Sequence, residues 1–358
     1  MTSLYSPLSF TRGPQMKNRF MLAPLTNTES ADDGTLSEAE FNWVTMRAEG
    51  GFGLTMTCAA NVQASGQGFP GQLGIYDDRH IPGLTRLAQG IKTRDSIAIV
   101  QIHHAGMRSP AKVIGTAPRC PSDNEKTGAI ALTTVEVEQL VQDFVRAAQR
   151  AEQSGFDGIE IHGAHGYMIG QFLSPSINLR QDQYGGSPEN RARILFEIIE
   201  GIRSACSDNF MLGVRISPER FGVRMGEALV LAQQLLLDER IDFLDMSLWD
   251  IFKEPEEEEF KGRSLISYFT ELQRGNVRLG VAGQIRTPEL AHQTMEQGVD
   301  WLMLGRAALL HHDFPNRMQA DEGFTPMSLP VSAEYLRSEG MGEKFITYMR
   351  TWDYFVAD

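Results

Sequence analysis

The run Gly158-Ile-Glu-Ile-His162-Gly-Ala-His165-Gly-Tyr167 continues into Gln171-Phe-Leu-Ser-Pro, Asn178-Leu-Arg180, Tyr184-Gly-Gly and Glu189-Asn-Arg-Ala-Arg193. Residues 158–161 form a short apolar stretch, the pattern of a buried strand. The stretch stops at two histidines and a tyrosine. Polar, ring-bearing residues gathered just past a buried strand are what a site on a strand scaffold requires. The strand fixes position, and the loop after it meets solvent and substrate.

The same strand-then-helix pattern extends outward on both sides. Strands are expected over 20–25, 53–60 and 97–104 upstream, and over 211–216, 243–247, 277–282 and 301–304 downstream. Helices are expected between them. One runs from a Ser37 cap, with Glu40 completing a capping box, to about residue 49, where Gly50-Gly51 stops it. Others cover 81–93, 134–154, 188–204, 227–238, 265–273 and 288–297. Val137, Leu140, Val141, Phe144, Val145 and Ala148 form one face of the 134–154 helix. Ser187 caps the next, with Pro188 at its first position. The strands are near-continuous apolar runs, which implies a parallel sheet buried on both faces. Eight of them favour an α/β fold with a single closed (β/α)8 barrel, a TIM barrel, over an open sheet.

The extra length falls in an N-terminal hairpin, an excursion over 107–133 after the third strand, and a tail over 311–358. The excursion lies on the active-site side and is expected to cap it. Glu254-Pro-Glu-Glu-Glu-Glu259 reads as a solvated acidic loop. No repeat, linker or second domain is visible, so residues 1–358 read as one domain.

Apolar residues make up 42% of the chain and charged residues 22%, as in a globular protein with a sizeable core. A formal net charge of −13 argues against nucleic-acid binding, which needs a basic face. Cys58, Cys120 and Cys206 are scattered, with no Cys-x-x-Cys, so a disulfide scaffold, structural zinc or an iron–sulfur cluster is poorly supported. A reducing cytoplasm is expected. Met1-Thr-Ser-Leu-Tyr-Ser-Pro lacks a leader pattern, and no stretch suits a membrane span.

In a closed barrel the C-terminal strand ends carry the site. Here they supply Pro24-Leu-Thr26, Cys58-Ala59, Gln101 with His103-His104, His162 with His165, Arg215, Gly283-Gln284 and Gly305-Arg306. Each alone reads as packing or loop chemistry. Their occurrence together on most strands of one barrel points to a site. Loops after strands seven and eight form the usual phosphate site of this fold, because glycines admit backbone amides and arginine adds charge. Val281-Ala-Gly283-Gln-Ile-Arg-Thr287-Pro288 and Leu304-Gly305-Arg306 fit that pattern, with ordinary tight turns as the other reading.

Two imidazole N–H groups side by side can hydrogen-bond one oxygen and stabilise charge developing on it. A phenol nearby can deliver a proton to carbon. His162, His165 and Tyr167 therefore suit reduction of an activated alkene: hydride to the β-carbon, charge on oxygen, proton to the α-carbon. No side chain supplies hydride, so a flavin or nicotinamide must. Zinc on His162 and His165 is disfavoured, because no third ligand lies at a matching spacing. Two other classes stay open. One is a flavin-free, phosphate-binding barrel lyase or isomerase. The other is a flavin-binding protein without turnover, against which Tyr167 argues, since a binder needs no proton donor.

The chain resembles the old yellow enzyme family of FMN-dependent ene-reductases from residue 18 to about residue 314. The opening motif is long and specific. Asn18-Arg-Phe, Ala23-Pro-Leu-Thr26, Gly71-Gln-Leu-Gly-Ile-Tyr, Gln101-Ile-x-His104-x-Gly106, Val214-Arg-Ile-Ser217 and Leu304-Gly-Arg306 support it. The resemblance implies FMN at the barrel mouth and NADPH or NADH as co-substrate in the same cavity, with ping-pong turnover of a small enone or related electrophile, nitro compounds included. It implies Pro24 in the cofactor site, with Thr26 and the Ala59 backbone at the flavin N5/O4 edge. Gln101 would bond the pyrimidine end and Arg215 would sit by N1/O2. Gly283, Gly305 and Arg306 would hold the phosphate. His162 and His165 would grip the substrate oxygen, and Tyr167 would donate the proton. The family's His-x-Gly-Arg element reads His104-Ala-Gly106-Met107 here, with Arg108 one place on, which leaves that arginine's role open. The cysteine cluster of larger dienoyl-CoA reductase-like relatives is not found in this sequence, so their iron–sulfur and FAD domains are not expected. Monomer and homo-oligomer both fit. The tail Tyr348-Met-Arg350-Thr-Trp352 packs on its own barrel or docks on a neighbour. Without a Rossmann fingerprint, the nicotinamide preference is not readable.

Overall fold

Short apolar runs become strands here because each is buried on both sides, and all eight pair in parallel. They are β1 (Phe20–Leu22), β2 (Leu54–Met56), β3 (Ile97–His103), β4 (Gly158–Gly163), β5 (Met211–Ile216), β6 (Phe243–Ser247), β7 (Arg278–Ala282) and β8 (Trp301–Leu304). Each pairs with the next, and β8 returns to β1 with Phe20 opposite Leu302 and Leu22 opposite Leu304, closing the barrel. This computed structural model describes residues 3–321 and 323–357. Met1-Thr2, part of the segment read above for a leader, lies outside the described residues.

Two strands differ from expectation, each for a local reason. β1 stops at Leu22. The Ala23 amide still donates to the Leu304 carbonyl at 3.0 Å, but Pro24 has no N–H to continue the ladder. The strand expected over 53–60 is broken at Thr57-Cys58-Ala59 and resumes as Ala60–Asn61. There the Ala59 carbonyl leaves the ladder and accepts from Gln72 Nε2 at 2.7 Å.

The barrel helices are α1 (Glu38–Glu49), α2 (Ile81–Lys92), α3 (Thr134–Gln153), α4 (Pro188–Ala205), α5 (Met225–Leu236), α6 (Leu265–Thr270) and α7 (Pro288–Glu296). Ser37 caps α1 by accepting from the Glu40 amide, but the reciprocal half of the expected capping box is missing. The Glu40 side chain is buried and turned instead toward Asn27 and Ser30. A complete box occurs on α3, between Thr133 and Glu136. The apolar face read for α3 is buried as expected. The acidic loop is only partly solvated, since Glu257 accepts from the Met225 amide at the start of α5 at 2.6 Å.

The N-terminal segment turns back on itself through one antiparallel bridge, Leu8 to Met16. It plugs the lower end of the barrel. Leu8 and Met16 pack with Met21, Leu54, Ile97, Met211, Phe243 and Trp301. Phe10 lies 5.6 Å from Trp301 and 6.3 Å from Phe243, ring centre to ring centre. Full burial of each such side chain stabilises by about 1.5–3 kcal/mol. With the bottom filled by apolar side chains, the open end is the top, where the strands finish.

The expected cap over 107–133 sits mostly to one side. Its Arg119–Cys120 and Ile130–Ala131 strands pair in parallel, and Arg119 is bound to Glu136 on α3. Of its described residues, Arg108 alone lines the cavity. The rest of that wall comes from the tail, whose helix Glu343–Met349 folds back on its own barrel.

Candidate active site

Below the mouth the barrel interior is polar. Gln101, on β3, donates to Glu160 Oε1 on β4 at 2.5 Å. Arg215 on β5 is in register with Asp245 on β6, and Asp245 with Gly280 on β7. A Cβ at Gly280 would lie 2.0 Å from Asp245 Oδ1 and 2.2 Å from Trp301 Nε1, so only glycine leaves room for that carboxyl. Burial raises the carboxyl pKa values of both Glu160 and Asp245, and the charge of Glu160 raises that of Asp245 further. Burial also lowers that of Arg215, against the pull of these two acids.

The histidines come next. β4 carries His162 to the rim, and the chain then turns sharply at His165 (φ +59°) and Gly166 (φ +68°). A left-handed conformation costs a non-glycine residue roughly 1–2 kcal/mol. The turn brings His162, His165 and Tyr167 to one place. The Tyr167 ring meets His162 edge-on at 5.1 Å and His103 at 4.4 Å. Burial raises the phenol's pKa.

The imidazoles are bonded in series. The Ala164 amide donates to His162 Nδ1 at 3.2 Å, which leaves the His162 proton on Nε2. That nitrogen lies 3.2 Å from His165 Nδ1, and His165 Nε2 lies 2.6 Å from Ser247 Oγ. Ser247 Oγ also accepts from Arg215 Nη2 at 3.1 Å. Burial holds both imidazole pKa values well below the usual 6.5, so both are neutral at pH 7. Among the described residues, no cluster of three or more His, Cys, Asp or Glu suited to a metal forms here or elsewhere.

The cavity above has a volume of about 380 Å³, within the range of small-molecule sites. Of the residues singled out in the sequence, Pro24, Thr26, His165, Tyr167, Arg215, Gly283, Gly305 and Arg306 line it. His162 stands just behind His165 and is 4% exposed. Gln101 and Ala59 are not on the wall. Gln101 is held inside the barrel by Glu160, and the Ala59 carbonyl is engaged by Gln72.

The structure adds residues to which the sequence reading gave no role in the site. Ser247 ends β6, the one barrel strand whose end was not surveyed. Arg286 stands in the β7 loop near Arg306, whose pKa it lowers after burial. Phe221 and Trp249, both at positive φ, form an aromatic side opposite no sequence motif. Phe345, Tyr348 and Trp352 of the tail complete the wall, with Trp352 5.3 Å from the Arg306 guanidinium.

Four arginines line this cavity and, among the described residues, no Asp or Glu does. Nε of Arg215 and of Arg286 is buried without a hydrogen-bond partner. Such atoms await a polar, anionic occupant. A closed barrel with glycines and arginines on its last two loops, imidazoles on its fourth strand and a buried cation beneath defines a flavin-nucleotide oxidoreductase. Residues 3–322 match the model of the NADH:flavin oxidoreductase / NADH oxidase family. The probable NADH-dependent flavin oxidoreductase YqiG of Bacillus subtilis (strain 168) is 37% identical over 86% of this chain and 85% of its own. The NADPH dehydrogenase of Bacillus licheniformis is 32% identical over 92% and 97%. The old yellow enzyme homologue from Zymomonas mobilis superposes with a TM-score of 0.82 at 26% identity, covering 99% of each chain. Some longer relatives are spanned over only 34–49% of their length. The chain belongs to the NADH:flavin oxidoreductase, or old yellow enzyme, family and is an FMN-dependent NAD(P)H oxidoreductase. Among the described residues no helix is long and apolar enough to cross a membrane.

The lining fits FMN. Gly283 and Gly305 keep the last two strand ends open, and a Cβ at Gly283 would lie 2.9 Å from Ile251 Cγ2. Arg286 and Arg306 stand beside them, cations suited to a phosphate, and Arg215 lines the same cavity from β5.

Proposed function

We propose that this enzyme reduces the activated C=C bond of α,β-unsaturated carbonyl compounds, and of nitroalkenes, by ping-pong turnover. The observation that carries the reading is the Tyr167 phenol packed against the His162–His165 pair inside a cavity lined by cations. FMN, when bound, supplies the two-electron chemistry that no side chain can.

The protein's own part begins at the substrate oxygen. Ser247 Oγ can rotate to donate to His165 Nε2 while still accepting from Arg215. The His165 proton then lies on Nδ1. When a substrate oxygen replaces the bond between these two nitrogens, that N–H and the His162 Nε2–H can both donate to it. Two neutral donors stabilise charge developing on a carbonyl oxygen without a protonation step of their own. Arg215 polarises the pair through Ser247. Tyr167 donates a proton to the substrate α-carbon, and its raised pKa keeps the phenol protonated at neutral pH. Phe221, Trp249 and the tail aromatics give the cavity an apolar side.

The test is a visible absorption spectrum of the purified protein under anaerobic conditions, before and after NADPH, followed by an enone panel. Yellow bands that bleach with NADPH and return with an enone are expected. Bands that bleach but do not return with any enone would refute the alkene reading. A colourless protein that takes up no FMN would favour the phosphate-binding lyase or isomerase reading.

A further inference from the structure

Arg108 is the cation that the cofactor reading leaves unused. It stands in the excursion after β3, away from the phosphate loops. Its Nη1 donates to the His165 carbonyl at 2.5 Å, and its Cζ lies 4.7 Å from the Tyr167 ring centre and 5.6 Å from that of Phe221. The other N–H groups of the guanidinium are not spent on an acid: no Asp or Glu pairs with Arg108 among the described residues. Its neighbour Arg220, stacked on Trp249 at 4.3 Å, is by contrast 3.7 Å from Glu256. Arginine presents a fixed fork that matches a carboxylate with two bonds.

Tyr167 sets the reach. Its ring centre is 5.1 Å from the His162 ring and 4.7 Å from the Arg108 guanidinium. A small molecule beside that ring has both the imidazole pair and the guanidinium within reach. We propose that Arg108 is a specificity-determining residue that selects alkenes bearing, besides the activating carbonyl, a second and anionic group, a carboxylate. The inference rests on the ene-reductase reading and narrows its substrate class. The carboxylate is held, not transformed. With FMN bound and reduced by NAD(P)H, the C=C bond would take its hydride from the cofactor and its proton from Tyr167.

The test compares (E)-4-oxopent-2-enoate with its methyl ester, in the FMN-loaded wild type and in Arg108→Gln and Arg108→Lys. The readout is the kcat/KM ratio of anion to ester, with NADH binding measured separately in the reductive half-reaction. Intrinsic reactivity differs between the two compounds but cancels when the ratio is compared between proteins. Arg108→Gln should lower the ratio by about 10- to 100-fold, the worth of a charge-assisted hydrogen bond, and Arg108→Lys should restore part of it. A merely structural arginine lowers both substrates together and leaves the ratio unmoved, which overturns the inference. A loss confined to NADH binding overturns it too, by assigning Arg108 to the nicotinamide nucleotide. Turnover of the ester with an unmoved ratio leaves the ene-reductase reading standing. Turnover of neither compound by the wild type removes both.

Discussion

Glu40→Gln should make the protein more stable, and more so as pH rises. Glu40 is fully buried beneath the first wall of the cavity, accepting from Asn27 Nδ2 at 3.1 Å and from Ser30 Oγ. Asn27 in turn accepts from the Glu29 amide, and Glu29 from the Phe345 amide of the tail, so this carboxyl supports both sides of the mouth. Burial raises its pKa from 4.5 to about 7. Between those values the folded chain keeps a proton that the unfolded chain has lost. Stability therefore falls as pH rises from about 4.5, and the loss is nearly complete by about pH 8. The gap between the two values corresponds to roughly 3 kcal/mol. Glutamine keeps the oxygen facing Asn27 and can donate to Ser30 Oγ, so the packing survives while the titration disappears. Any cost of burying the amide is independent of pH and cancels in the comparison. Thermal denaturation of the FMN-loaded wild type and variant across pH 5 to 8.5 reads the effect. The advantage of the variant should grow by roughly 2–3 kcal/mol over that range, about 3–4 °C in Tm for a chain of this length. A difference that stays flat with pH, or that grows toward acid, would refute the reasoning.

The other outcomes concern the site. Tyr167→Phe should slow the oxidative half-reaction with an enone by about 10²- to 10⁴-fold, measured by stopped flow after anaerobic reduction. An unchanged rate removes the proton-donor role. His162→Ala or His165→Ala should weaken binding of a phenolic ligand by about 5- to 100-fold in a spectral titration, and unchanged affinity sinks the oxygen grip. Arg286→Ala and Arg306→Ala should each raise the Kd for FMN by about 10- to 100-fold, read by ultrafiltration and absorbance. Riboflavin, which has no phosphate, should show no such loss. An equal loss for riboflavin would mean that neither arginine acts on the phosphate.

The strand order and most of the cavity floor were legible because both follow from local patterns. Apolar runs mark strands, and polar residues at their ends mark the rim, so His162, Arg215 and Gly305 could be placed by position alone. Gln101 was placed at the rim on the same rule, and its amide is bonded to Glu160, its register partner on the adjacent strand, a contact set by strand pairing rather than by local pattern. The engagement of the Ala59 carbonyl by Gln72, thirteen residues on, was likewise not readable from local pattern. The capping box on α1 failed because burial of Glu40 outweighed a local bond to its own cap. The aromatic wall was illegible. Phe221 and Trp249 reach the cavity through left-handed backbone that no spacing announces, and the tail residues arrive from the far end of the chain.

The pairing of β8 with β1 joins residues some 280 positions apart. Pro24 and Thr26 meet Gly305 and Arg306 across that seam. During synthesis the first strand must therefore wait, one edge open, until the last has left the ribosome. Such distant pairing is slow to form. The two halves of that part of the rim exist as a unit only after the ring has shut. A nucleotide bound across that seam could load only once the two ends of the barrel have met.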